Sequence, residues 1–94
     1  MSDIKLQEEI NRGVEADRVL NSQVYKDAIE SVKTGLVDAM ASAPMGDDKT
    51  HNRLVIALQL VNQIERNLKT YIQTGKLASI QVSGGAVQKI RGIA

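Results

Sequence analysis

The chain has 94 residues, and its 12 Lys and Arg against 11 Asp and Glu leave a formal charge of +1, too small to steer it toward nucleic acid or a membrane. It contains no Cys, Phe or Trp, which excludes disulfide scaffolds, Cys-bound zinc and thiol catalysis and leaves the core to Leu, Ile, Val, Ala and Met. The longest apolar stretch, Leu54 to Val61, is interrupted by Gln59 and falls far short of the roughly 20 residues a membrane span needs; with no secretory signal, a soluble intracellular chain is expected.

Ile10, Val14, Leu20, Val24, Ala28, Val32, Leu36 and Met40 recur mostly at steps of four, with Tyr25, Ile29 and Val37 widening the stripe. That period predicts α-helix. The pattern breaks at Asn21-Ser22, where either side chain can cap a second helix. Residues 3 to 20 therefore read as a leading helix, weakened at Gly13 by up to ~1 kcal/mol, and residues 22 to 42 as a stronger second helix. Pro44 disfavours helical geometry at Ala43, Met45-Gly46-Asp47-Asp48 reads as a turn, and Asp47 or Asp48 can cap a third helix.

The third helix, over residues 48 to 74, carries the strongest pattern. Leu54, Val61 and Leu68 repeat at seven, as do Ala57, Ile64 and Tyr71, forming a helix-packing seam with Leu58 and Ile72 alongside. Val55, Ile56 and Leu60 add a second apolar edge, a candidate partner interface. Gly75 reads as the left-handed residue that ends the helix. The expected fold is all-α: an antiparallel helical hairpin with an additional N-terminal helix, forming one domain over residues 1–82. An extended C-terminal arm over 83–94 begins at Ser83-Gly84-Gly85. Such a hairpin buries little by itself, and the leading helix reads as a poor lid for Val55, Ile56 and Leu60, so an oligomer or a partner is expected.

Residues 1 to 65 hold 7 bases and all 11 acids, whereas residues 66 to 94 hold five bases, including Lys89 and Arg91, and no acid. Bases that complement a helix dipole and a solvated tail explain this end; a basic arm touching an acidic partner or phosphates is the alternative. Catalytic chemistry has little to work with. His51 is the only imidazole, Asp47-Asp48 is accounted for by capping, and Lys76 after Gly75 lacks the upstream glycine of a phosphate-cradling loop, since Thr70 stands there. No catalytic, cofactor-binding or metal-binding residue is expected, and no cofactor.

From Glu15 to Val82 the order of features resembles a family of small helical-hairpin proteins of tailed bacteriophages. The residues that carry the likeness are Ala16 to Asn21 (ADRVLN), a helix ending in Met40, and the Pro turn with Asp47-Asp48. They continue with the long helix through Leu60-Val61 and Leu68 and close on Tyr71 to Ala78 (YIQTGKLA). The resemblance implies a protein of the structural or packaging gene set: a non-enzymatic assembly component, in the host cytoplasm and then the virion. Its partners would be other phage structural proteins, itself, or both. Two alternatives remain open at this point, a small terminase-like packaging subunit that contacts DNA and a phage-encoded inhibitor of a host defence protein.

Overall fold

The computed structural model describes residues 2–93, with side chains over residues 3–83. The chain folds as three α-helices: α1 (Ser2–Leu20), α2 (Gln23–Ser42) and α3 (Asp48–Ile93). They pack as two compact units, Met1–Val19 with Leu68–Ala94, and Leu20–Asn67. This division differs from the single domain expected over residues 1–82, because the leading helix packs with the later turns of α3.

The helix boundaries result from local chemistry. Ser22 takes an extended conformation (φ −70°, ψ 127°), and its Oγ accepts from the Tyr25 amide at 3.4 Å, so Ser22 is the cap of α2. At the other end, Ala43 is extended (φ −69°, ψ 140°), as the residue before proline must be to avoid the Pro44 ring. The Asp47 amide donates to the Pro44 carbonyl at 3.0 Å and closes the turn. Asp47 then caps α3: its Oδ1 accepts from the Thr50 amide at 3.1 Å and its Oδ2 from the Thr50 hydroxyl at 2.6 Å. Asp48, an equal candidate by sequence, is the first helical residue and complements the positive helix end.

Within Leu20–Asn67, α2 and the first turns of α3 form the αα-hairpin, joined by the short segment from Ala43 to Asp47. The half-buried line on α2 is Tyr25, Ile29, Lys33, Leu36 and Met40; on α3 it is Leu54, Leu58, Val61 and Glu65. The covered face of α2 thus sits one residue round from part of the sequence stripe, whose Val24, Val32 and Val37 are 79%, 47% and 53% exposed. Lys33 and Glu65 are the reason a polar pair lies on the covered line. Their ammonium and carboxylate meet between the helices, so each long stem can pack while its charge is matched.

In the other unit, α1 meets the later turns of α3 through glycine. A Cβ on Gly13 would lie 2.9 Å from the Tyr71 carbonyl oxygen and 3.1 Å from the Gly75 Cα. A Cβ on Gly75 would lie 2.9 Å from the Glu9 carbonyl oxygen and 3.1 Å from the Gly13 Cα. The two backbones therefore touch, and one turn on from each glycine Ala16 and Ala78 are buried, 3% and 1% exposed. Gly75 does not end α3. No glycine among the described residues has a positive φ, and the helix continues past residue 74. The seven-residue repeat runs on in phase, with Gly75 and Ala78 taking the next two seam positions as the small residues a close crossing requires. Most of the expected C-terminal arm, residues 84–94, lies outside the residues whose side chains are described.

Candidate helix-packing interface

The seam residues fall into two groups. Leu54, Ala57 and Val61 are half-buried in the α2–α3 hairpin, and Leu68 and Tyr71 are half-buried in the α1-containing unit. Ile64 departs from the expectation: it is 51% exposed, and Glu65 takes its place on the covered line. The Lys33–Glu65 ion pair explains the rotation, since it holds Glu65 against α2 and turns Ile64 outward.

Ile64 thereby joins the second apolar edge. Val55, Ile56 and Leu60 are 45%, 54% and 62% exposed, so the chain leaves them uncovered, as the sequence pattern suggests. Of these, Ile56, Leu60 and Ile64 recur at steps of four and form one ridge on α3. The sequence pattern places Ile64 in the seam because period alone cannot tell which of two adjacent apolar lines faces the partner helix. The expected basic-arm residues Lys89 and Arg91 lie outside the residues whose side chains are described.

Two further features emerge only from the packing. The Arg12 guanidinium lies 4.4 Å from the centroid of the Tyr71 ring, a cation–π contact that joins α1 to α3 on the flank of the glycine crossing. Beside the same crossing, Ile10, Val14, Ile72 and Lys76 line an open groove of about 390 Å³. Its walls are mainly aliphatic and its mouth is wide, so it offers an apolar strip and not an enclosed cavity.

A polar cluster lies between the hairpin helices. The Tyr25 hydroxyl is closed off from solvent and has no hydrogen-bond partner, and Glu65 Oε1 beside it is likewise inaccessible, with the Lys33 ammonium as its contact. Burial pushes the Tyr25 phenol up, the Glu65 carboxylate pushes it further, and Lys33 opposes both. The only described imidazole, His51, has its Nε2 3.1 Å from the Pro44 carbonyl oxygen, where it ties the start of α3 to the turn. Among the described residues no group of three or more His, Cys, Asp or Glu is placed to hold a metal ion, and no helix is long and apolar enough to cross a membrane.

No family model, no curated protein and no solved structure matches the chain.

Proposed function

We propose that this chain is a non-enzymatic bacteriophage structural or assembly protein that works by packing helices against a protein partner. The observation that carries the reading is the ridge of Ile56, Leu60 and Ile64 on α3, each more than half exposed. Fully burying one large aliphatic side chain gains roughly 1.5–3 kcal/mol, so covering these three half-exposed ones offers on the order of 2.5–5 kcal/mol. A surface of this kind is suited to a helical partner, which matches the ridge with its own grooves. The phage setting rests on the likeness of ADRVLN, the Pro turn and YIQTGKLA to small phage hairpin proteins.

Quantitative mass spectrometry of purified particles, and of capsid and tail assembly intermediates, tests the proposal in a phage that encodes the chain. Detection at a fixed ratio to a structural protein supports it. Absence from both the particles and the intermediates overturns it.

A further inference from the structure

We infer that the α2–α3 hairpin pairs with a second copy of itself, through a face centred on Gly35 and Leu60, to make a four-helix bundle. This rests on the reading that the chain acts by helix packing, and it names the partner and the surface.

The face is fixed by the covered lines. Val24, Ala28, Val32, Gly35 and Ala39 each immediately precede a covered residue of α2 (Tyr25, Ile29, Lys33, Leu36, Met40). Arg53, Ala57, Leu60 and Ile64 stand in the same relation to Leu54, Leu58, Val61 and Glu65 of α3. Moving one residue toward the N-terminus turns the same way about each helix axis, and the axes run in opposite directions, so both stripes reach the same side of the hairpin. Apart from Arg53 that side is apolar, and all of these residues but the half-buried Ala57 are exposed.

Its relief is self-complementary. The α2 stripe carries Val24 and Val32 but is low at Gly35 and Ala39, toward its C-terminal end, whereas α3 presents the larger Leu60 and Ile64. A two-fold axis running along the helices lays α2 of one copy over α3 of the other, so each ridge enters the other copy's hollow. Gly35 points the same way independently. A glycine in mid-helix costs stability relative to alanine, and a Cβ at Gly35 would meet nothing within 4 Å, so no contact among the described residues requires it. At Gly13 and Gly75 this chain uses glycine where another helix backbone comes close. Gly35 fits the same use with the neighbouring helix supplied by the second copy.

Charge and area agree. The outer edge of α2 beside the hollow carries Asp27 and Asp38, and the edge of α3 beside the ridge carries Lys49 and Arg53. None of the four is ion-paired within the chain among the described residues. In the two-fold arrangement Asp38 of each copy, near the turn end of α2, lies over Lys49 and Arg53 at the start of the other copy's α3. The 20 residues of α2 span about 30 Å. With helix axes 8–10 Å apart the face is about 20 Å wide, giving roughly 600 Å² per copy before side-chain relief is added. Two copies together reach about 1,200 Å², the lower end of what stable specific interfaces bury.

Sedimentation equilibrium of the full chain over a concentration series tests the inference. The expected result is a monomer–dimer equilibrium. Gly35→Leu, which fills the hollow while raising helix propensity, should weaken dimerisation about 100-fold or more, because a two-fold interface contains each substitution twice. Leu60→Lys should do the same, and circular dichroism should show both variants as helical as the parent. Arg53→Asp should weaken the dimer, and Asp38→Arg added to it should restore affinity. A parent chain that is monomeric throughout, or a dimer that both Gly35→Leu and Leu60→Lys leave intact, overturns the inference. A monomer that is nonetheless found in phage particles would sink the dimer while leaving the proposed function standing.

Discussion

The fold shifts the ionisation of Asp47 and Tyr25 in opposite directions. The Thr50 hydroxyl and amide, in that order, hold the Asp47 carboxyl below its ordinary value, with a smaller contribution from His51. Its capping contribution is therefore complete above the ordinary Asp value and is lost as pH falls through the lowered one. Monitored by the chemical shift of the Thr50 amide, the acid titration should have its midpoint below that of an unperturbed Asp. Asp47→Asn should abolish the titration while keeping a capping oxygen. Tyr25 behaves inversely: burial first, and Glu65 second, raise its phenol above the usual 10.0. Stability linked to the neutral phenol is complete below the free-tyrosine value and is lost as pH rises through the raised one. Because the hydroxyl lacks a partner, Tyr25→Phe should leave stability unchanged or raise it by up to about 1 kcal/mol. In thermal melts on the alkaline side, the variant should lose less stability with pH than the parent.

At the scale of elements, the contact between α1 and α3 depends on two glycines that share one gap. An alanine at either position puts a Cβ 2.9 Å from a backbone carbonyl oxygen, and no side-chain rotation relieves that. The helices must separate, so Gly13→Ala and Gly75→Ala should each cost about 1–3 kcal/mol in urea unfolding. The double variant should cost less than the sum of the two, since separation caused by the first methyl makes room for the second. Additive costs would mean that the helices do not meet through this pair. The helix pattern of all three elements is legible in the sequence, and so is the break at Asn21-Ser22, because capping and the proline constraint act within a few residues. Gly75 is a different matter. A glycine at the end of a visible apolar pattern looks like a terminator, and only the opposing backbone of α1 reveals it as a contact point.

For the whole molecule, burial is thin. Ala16 and Ala78 are the buried apolar residues among those described, while fourteen larger apolar side chains are more than a third exposed. If the hairpin face is covered by a second copy, folding and association are linked, because the partner binds the folded chain and not the unfolded one. Melting temperature should then rise with protein concentration, by about 3–5 °C per tenfold increase for a chain of this size. Scanning calorimetry over two decades of concentration measures this directly, and a constant melting temperature would count against association through any face.

The sequence by itself determined the helical class, the two interruptions and the existence of more apolar surface on α3 than one partner helix can cover. Each of these depends on spacing or on contacts a few residues apart, which a linear pattern records. The tertiary structure decided which apolar line faces inward, that Glu65 and not Ile64 occupies the covered line, and that Gly13 and Gly75 meet. Those outcomes depend on how close two backbones can approach and on where Lys33 finds its counter-charge. Both are distances between residues far apart in the chain, and periodicity carries no information about them.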